Sequence, residues 1–391
     1  MFDKTVYFDN AATTKTDPRV MEAMLPYFGE LFGNASGKYS IGFAARKAVE
    51  DARKKAAGLI NAEPDEIIFT SGGTESNNMV LGCGRWKKII TSKTEHESVL
   101  NPVKACIKNG TAVRIAEPDE KGSIIPDSLL LNGEAIERRE LTRAADTLND
   151  SPGLVSVMYV NNETGTMQDI EALAALAHER GFLFHTDAVQ AVGHEKMDVK
   201  KMGIDLLSAS GHKFYGPKGI GFLYIRRGLK LSPLLLGGGQ ERNLRSGTEN
   251  VPAIVGLGEA CRIAGEEAAE NRERERDIGR FLLDRLMNIP GATHNGTGER
   301  ILNLSFKGIN GQSLAIRLDI EGICVSTGSA CSSGKDERSH VLTAMGLTPE
   351  AADASVRLSI GHYNTVEEAE YAAGRIEALV RELRELGGAV Y

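Results

Sequence analysis

The chain has 391 residues, of which 41% are hydrophobic and 25% charged, and its formal net charge is −7. This composition is typical of a soluble globular protein long enough for two domains, and its mildly acidic balance gives no reason to expect nucleic acid as a partner. No apolar run reaches the roughly 18 residues of a membrane-spanning helix, and five irregularly spaced cysteines indicate neither a disulfide framework nor a metal site. We therefore expect a cytoplasmic protein without a membrane segment.

Short β-branched runs alternate with helical patterns in the first two thirds of the chain. They predict seven strands, at 66–70, 88–92, 112–116, 154–160, 182–186, 205–210 and 221–226. Helical patterns lie between several of them, for example at 169–181. The alternation predicts an α/β fold whose mostly parallel sheet is covered by helices on both faces.

The last third of the chain has a different pattern. Residues 262–288 predict one long charged helix that could bridge two domains. After it, the sequence predicts a smaller sheet and two more helices, with strands at 300–306, 323–327 and 355–361 and helices near 311–321 and 366–386. The charged segment 131–150 is helix-prone, and its sequence indicates no chemistry.

Small and polar residues follow the predicted strands, at the edge of the sheet where ligands of open α/β folds bind. The stretch SGGTESNN (71–78) places Gly73 and Thr74 at the start of a helix, which suits a phosphate and suits a plain helix cap equally well. Asn162 follows another strand in a turn that, taken alone, is typical of a loop.

Two further strands end in residues with acid and amine chemistry. TDAVQ carries Asp187 and Gln190, and GHKFYGPKG carries His212 and Lys213. Together with the phosphate cradle they describe a pocket for pyridoxal 5′-phosphate. Lys213 would form the Schiff base, Asp187 would keep the pyridine nitrogen protonated so that the ring acts as an electron sink, and Gln190 would contact the phenolic oxygen. Each residue alone has a plainer interpretation, as a turn aspartate or a solvated lysine.

Longer motifs extend this pattern over nearly the whole chain. They are YFDNAATT (7–14), FGNAS (32–36), TSGGTESNN (70–78), EHESV (95–99), VNNETG (160–165), HTDAVQAVG (185–193), SGHKFYGPKG (210–219), GGGQERNLRSGTEN (237–250), STGSACSS (326–333) and RLSIG (357–361). In these motifs and their order the chain resembles fold-type I pyridoxal-phosphate enzymes, in particular the cysteine desulfurases of the NifS/IscS type.

The resemblance implies a two-domain architecture. A large cofactor-binding domain at 15–261 would contain the mostly parallel seven-stranded sheet between helices. A smaller α+β domain, made of 1–14 and 262–391, would carry a catalytic cysteine loop at about 326–340.

The resemblance also implies roles for individual residues. His96 would stack on the pyridine ring and serve in proton transfer. Asn162 would contact the ring and the substrate, and Arg357 would bind the substrate carboxylate. The phosphate would be held by residues of both subunits of a homodimer: Gly73, Thr74, Ser210 and His212 of one, and Thr248 of the other.

Cys331 matches the nucleophile of that family. An isolated cysteine is usually a small buried hydrophobe, and this is our interpretation of Cys83, Cys106, Cys261 and Cys324. Ser and Gly residues surround Cys331 instead, which favours an accessible thiol on a loop. A thiol that takes sulfur from a substrate and passes it to another protein needs such access.

We therefore expect a cysteine desulfurase that converts L-cysteine to L-alanine and a Cys331 persulfide. The sulfur would go to an iron–sulfur scaffold protein or another acceptor, and whether a cluster ever contacts Cys331 stays open. Two alternatives remain. A selenocysteine lyase or an aminotransferase would use the same pocket with Cys331 incidental. A non-catalytic partner of an assembly complex would keep only the fold, against which Lys213, Asp187 and Cys331 argue.

Overall fold

The computed structural model describes residues 5–83, 86–126, 153–327 and 338–387. Segment 131–150 and Cys331, which the sequence singled out, lie outside these ranges. Within them, no helix has a stretch long and apolar enough to cross a membrane.

Twelve strands are found in the described ranges. They are β1 (Val6–Tyr7), β2 (Ile67–Thr70), β3 (Lys88–Ser92), β4 (Ala112–Ala116), β5 (Gly153–Ser156), β6 (Phe182–Asp187), β7 (Leu206–Ser210), β8 (Gly221–Ile225), β9 (Ala292–His294), β10 (Ile301–Phe306), β11 (Ile323–Cys324) and β12 (Ser355–Ser359).

The α-helices of the same ranges are α1 (Pro18–Met24), α2 (Ser40–Leu59), α3 (Gly73–Cys83), α4 (Glu97–Lys108), α5 (Ile170–Glu179), α6 (Val251–Leu286), α7 (Gly311–Ile320), α8 (His340–Ala344), α9 (Pro349–Asp353) and α10 (Val366–Leu386). Short 3-10 turns lie at Leu25–Phe28, Pro64–Glu66, Gly211–Lys213 and Glu241–Asn243.

Seven strands form one large sheet in the order β2-β8-β7-β6-β5-β3-β4. Strand β8 is antiparallel to both of its neighbours, and every other adjacent pair is parallel. The predicted α/β fold with a mostly parallel seven-stranded sheet is confirmed. One face of the sheet packs against a core that includes α2 and α6, and the other against a core that includes α3 and α4.

Strand β5 ends at Ser156 and is shorter than the predicted 154–160 at its carboxyl end. Residues Val157 and Tyr159 still donate backbone hydrogen bonds to β6, at 3.1 and 2.9 Å. The turn that follows is closed by Asn161, whose Oδ1 accepts the backbone N–H groups of Glu163 and Thr164. This bend brings residues 158–162 to the edge of the sheet.

Helix α6 begins at Val251 rather than at the predicted 262. Asn250 caps it by accepting the N–H of Ala253, and a proline lies in its first turn, where the missing N–H costs nothing. Its first half packs into the core of the large sheet, and Ile278, Leu282 and Leu286 pack into a second core. Because the helix is continuous across residue 261, the division into domains there stays a prediction.

The second core surrounds an antiparallel sheet of order β12-β10-β9. Strand β1 pairs with β11 in parallel, and Asp9 bridges to Ser359 just beyond them. Residues 8–10 therefore lie beside β12, which carries Arg357.

Candidate functional site

A cavity of about 480 Å³ opens at the carboxyl ends of the central strands. It is lined by the predicted site residues Gly73, Thr74, His96, Asn162, Asp187, Gln190, Ser210, His212, Lys213 and Arg357. They come from positions almost three hundred residues apart, and the sheet brings them together. Their roles remain predictions, because their presence in one cavity fixes only their location.

The predicted phosphate cradle is the turn between β2 and α3. Gly72 adopts a positive φ of 149°, which disfavours residues with a side chain. A Cβ on Gly73 would lie 2.4 Å from Cγ2 of Val189, so only glycine fits there. The first N–H groups of α3 have no partner within the helix, and the helix dipole favours an anion at this end. The turn therefore has both the space and the donors for a phosphate group.

Lys213 lies on the 3-10 turn that follows β7. Its Nζ donates to the carbonyl oxygens of Ala11 and Ala12, at 2.6 and 2.9 Å. The neighbouring His212 is half-buried, and Nδ1 of its ring lies 3.1 Å from Oγ1 of Thr13. Burial, with help from nearby lysines, lowers the pKa of His212 to about 4, so its ring is neutral near pH 7.

Asp187 ends β6 and is 5% exposed. Its Oδ1 accepts the backbone N–H of Val189 at 3.0 Å, and its Oδ2 accepts Nδ2 of Asn77 at 2.7 Å. Two N–H donors stabilise the ionised form of a buried carboxylate. Both oxygens of the carboxyl group are thus held by N–H donors at the position predicted for the partner of the pyridine nitrogen.

His96 caps the N-terminus of α4. Its Nδ1 accepts the backbone N–H of Ser98 at 3.0 Å and lies 2.7 Å from Oγ of the same residue. The adjacent Glu95 is fully buried, and its Oε1 accepts from Ser92 and from the backbone of Met158. Burial raises the pKa of Glu95 to about 8, so this carboxyl is mainly protonated near pH 7.

Arg357 extends from β12 and is 2% exposed. Its Nη1 donates to the backbone oxygen of Asn162 at 2.8 Å, and its Nη2 donates to Asp9 at 2.7 Å. Gln190, also buried, donates its Nε2 to Ala11 at 2.8 Å. The segment of Asp9 to Ala12 therefore supports three of the predicted residues.

Several of these supporting residues were not predicted. Asp9, Ala11 and Ala12 lie within YFDNAATT, one of the motifs on which the resemblance rests. The two alanines act through their backbone carbonyl oxygens, and a sequence does not indicate which carbonyl oxygens will accept a hydrogen bond from a side chain. Asn77 and Ser98 read as ordinary helix residues. Lys218, whose place in the turn GPKG is typical of a solvated lysine, is exposed and lines the cavity as well.

The structure does not bring Thr248 into the cavity of its own chain. Thr248 is exposed, and its segment is attached to the cradle helix by an ion pair of 2.9 Å between Arg245 and Glu75. Cys331 lies outside the described residues. Of the cysteines interpreted as core residues, Cys261 is buried, whereas Cys106 and Cys324 are only half-buried.

The residues present fit pyridoxal phosphate. The glycine cradle excludes even a methyl group at Gly73, Asp187 is buried between two N–H donors, and the Lys213 amine reaches the same cavity. Gly73, Thr74, Ser210 and His212 would hold the phosphate, and Asp187 the pyridine nitrogen.

Comparison with known proteins agrees with this fit. The model of the aminotransferase class-V family matches residues 6–371. The cysteine desulfurase IscS of Methanosarcina thermophila is 44% identical over 98% of this chain and 94% of that protein. Two solved structures are similar: a NifS-like protein (TM-score 0.86, 37% identity, 97% of this chain and 100% of that one) and SspA in complex with cysteine (0.76, 34%, 92% and 99%). The chain therefore belongs to the class-V aminotransferase family, whose members depend on pyridoxal phosphate.

Proposed function

We propose that the protein is a cysteine desulfurase, which moves the sulfur of L-cysteine onto Cys331 and releases L-alanine. The observation that carries the proposal is that one cavity contains an amine, a buried carboxylate and a buried guanidinium: Lys213, Asp187 and Arg357. This set suits an α-amino acid bound next to pyridoxal phosphate. The similarity to proteins named cysteine desulfurase supports cysteine as that amino acid.

The cofactor would supply an electron sink for negative charge at the Cα of the amino acid. Asp187 would help the cofactor ring to act as an electron sink, because its buried negative charge favours a protonated pyridine nitrogen. Lys213 is the proposed carrier of the Cα proton, at Nζ. Its contacts with Ala11 and Ala12 hold the amine at one wall of the cavity.

The substrate would be oriented by its carboxylate. Arg357 has two of its nitrogens engaged with Asn162 and Asp9, while Nε is buried and has no hydrogen-bond partner among the described residues. A buried guanidinium held in this way has little freedom, so a carboxylate can be bound without first ordering the arginine.

Cys331 would act as the nucleophile in its thiolate form. A bond forms between Cys331 Sγ and the substrate sulfur while the Cβ–S bond of the substrate breaks. The carbon fragment takes up protons and leaves as alanine, so no external oxidant or reductant is needed. The persulfide would pass its sulfur to an acceptor protein, for which an iron–sulfur scaffold is our candidate. On the cysteine content of the chain, we place the reaction in the cytoplasm.

A homodimer is part of the proposal, and exposed apolar side chains support it. Six of them lie in one segment: Met21, Leu25, Phe28, Phe32, Tyr39 and Phe43. Leu236 is 85% exposed, and its neighbour Leu235 bridges to Arg245 in the segment that leads to Thr248. Apolar side chains that are exposed in groups often mark a surface that contacts another protein. A second copy that covers it would bring Thr248 toward the other cavity.

The experiment is mass spectrometry of the pyridoxal-phosphate-loaded protein after addition of L-cysteine. We expect one additional sulfur atom on the peptide that contains Cys331, and one alanine released for each sulfur bound. Peptides with Cys106, Cys261 and Cys324 serve as internal controls and should keep their mass. Alanine formation without sulfur on the Cys331 peptide would contradict the desulfurase proposal.

A further inference from the structure

A single buried carboxamide connects two residues of the cofactor pocket that the sequence treats separately. Asn77 lies on α3 and is 0% exposed. Its Nδ2 is 2.7 Å from Oδ2 of Asp187 and 2.9 Å from Oγ of Ser98. Neither contact belongs to the helix in which Asn77 lies.

The chemistry of the partners determines which way the carboxamide faces. The Asp187 carboxylate is stabilised by a second donor at Oδ1, so it accepts hydrogen bonds, and the nitrogen of Asn77 must face it. Both N–H groups of Asn77 are then used, one on Asp187 and one on Ser98. Its Oδ1 is left buried without a partner among the described residues. The two donated hydrogen bonds must offset that cost.

The direction of donation continues from Ser98 to His96. Oγ of Ser98 accepts from Asn77 and lies 2.7 Å from Nδ1 of His96. That Nδ1 already accepts the backbone N–H of Ser98, so it carries a lone pair toward this residue. The hydrogen between Oγ and Nδ1 therefore belongs to Ser98. A neutral His96 ring with two donors at Nδ1 carries its own hydrogen on Nε2.

We propose that Asn77 is a positioning residue that holds the Asp187 carboxylate and the Ser98 hydroxyl in place together, and that through this hydroxyl it adds a second donor at Nδ1 of His96. One N–H holds Oδ2 of Asp187. The other donates to the Ser98 hydroxyl and leaves its hydrogen directed at Nδ1, where it adds to the backbone N–H that already keeps the hydrogen of His96 on Nε2.

If the proposed function holds, the hydrogen on Nε2 of His96 bears on one step of the reaction, the removal of the Cα proton. An Nε2 that already carries hydrogen can donate to a ligand in the cavity and cannot accept a proton there. Of the two groups that could take the Cα proton, Lys213 and His96, this arrangement favours Nζ of Lys213. His96 is then a hydrogen-bond donor and a stacking partner.

The first test measures binding of pyridoxal phosphate to apoprotein, without cysteine. Asn77→Ala removes a hydrogen bond to a charged group, and we expect about 10-fold to 100-fold weaker binding. Asn78→Ala is the matched control, because Asn78 is the next residue of α3 and its side chain donates to the backbone oxygen of Thr74 within its own helix. If Asn77→Ala does not fold, Asn77→Asp keeps the shape and replaces the donor by an acceptor, with a loss at least as large expected.

The second test measures the ring-nitrogen chemical shifts of His96, by nitrogen-15 NMR of apoprotein labelled at histidine. These shifts report which ring nitrogen carries the hydrogen. The His96 signals are assigned as those missing from His96→Gln among the eight histidines of the chain. The wild type should show hydrogen on Nε2 and a hydrogen-bonded lone pair on Nδ1. Ser98→Ala and Asn77→Ala should both move the Nδ1 resonance toward that of a nitrogen with fewer donors, and Asn78→Ala should leave it in place.

Hydrogen on Nδ1 in the wild type overturns the proposal. So does an Asn77 variant that is folded and matches Asn78→Ala in both cofactor binding and the His96 spectrum. Neither measurement requires catalysis, so a protein that never desulfurates cysteine can still confirm the role of Asn77. Conversely, an active desulfurase can still refute it.

Discussion

Arg357 and Asp9 form an ion pair of 2.7 Å between side chains that are 348 positions apart in the sequence. The arginine is 2% exposed, and the aspartate comes from the turn after the first strand. The cation proposed to bind the substrate carboxylate is therefore already accompanied by an anion of the chain. This arrangement allows a buried positive charge to exist before substrate arrives.

Removal of that anion should destabilise the protein. Asp9→Ala leaves Arg357 buried without its counter-charge, and we expect the free energy of unfolding to fall by about 3 kcal/mol. Asp9→Asn keeps an oxygen that can accept from Nη2, so its loss should be clearly smaller. Urea unfolding of the two apoproteins gives the comparison, and equal stability of Asp9→Ala and wild type would show that the pair contributes nothing.

The cradle should tolerate no side chain at residue 73. In Gly73→Ala the new Cβ would meet Cγ2 of Val189 at 2.4 Å, so the turn must move and lose its fit to phosphate. We expect pyridoxal phosphate to bind at least about 10-fold more weakly, since misplaced donors to a charged group cost that much. Gly82→Ala is the control on the same helix, because a Cβ there meets no atom within 4 Å beyond its own stretch of helix, among the residues that the structure describes.

A second substitution, at Val189, tests whether Gly73→Ala weakens cofactor binding through a steric clash. Val189→Ala removes the methyl group that the new Cβ would meet. The double variant Gly73→Ala/Val189→Ala should therefore recover much of the lost affinity. If it binds the cofactor as weakly as Gly73→Ala alone, the contact with Val189 is not the cause.

The sequence predicted the sheet well because strand periodicity and the small residues after each strand are local signals. The predicted start of α6 was wrong. The charged helical pattern begins at residue 262, whereas the helix itself begins at Val251, in an apolar stretch that follows the cap residue Asn250. The pairing of Asp9 with Arg357 and the contacts of Lys213 with Ala11 depend on chain segments that only folding brings together. Asn77 has no signal of its own, since an asparagine within a helix usually faces solvent.

The buried Glu95 should make stability depend on pH. Its pKa is raised to about 8 in the folded state, above the model-peptide value of about 4.3. The folded protein therefore binds the extra proton between these values, and stability is lost as pH rises through that window. The wild type should lose stability relative to Glu95→Gln from about pH 5 to pH 8.

Urea midpoints of the apoproteins at three pH values in this window measure the effect. Glu97→Gln is the control, because Glu97 lies nearby on α4 and is exposed. The wild type and Glu97→Gln should show the same pH slope, and Glu95→Gln a flatter one. Parallel slopes for all three proteins would mean that Glu95 titrates normally.

The composite site of the proposed homodimer can be tested by mixing two inactive proteins. Lys213→Ala lacks the amine, and Thr248→Glu would place a negative charge against the phosphate of the partner. A mixed dimer would contain one site with both intact residues, so some alanine formation should return. Absence of recovery, after mass spectrometry has shown that mixed dimers form, would place Thr248 outside the neighbouring site.

Cys331→Ser should separate cofactor binding from sulfur transfer. A serine hydroxyl is nearly isosteric with a thiol but far less acidic and nucleophilic, so it cannot accept sulfur near neutral pH. Lys213, Asp187 and His96 are unchanged, and pyridoxal phosphate content and the binding of L-cysteine should stay normal. Alanine formation should fall by about two orders of magnitude or more, because the nucleophile is missing. Cys324→Ser is the matched control, since Cys324 is half-buried on β11 near the start of the same segment and should keep its activity. Full alanine formation by Cys331→Ser would show that Cys331 is not the nucleophile, and a lyase that needs no protein-bound sulfur would then be the better description.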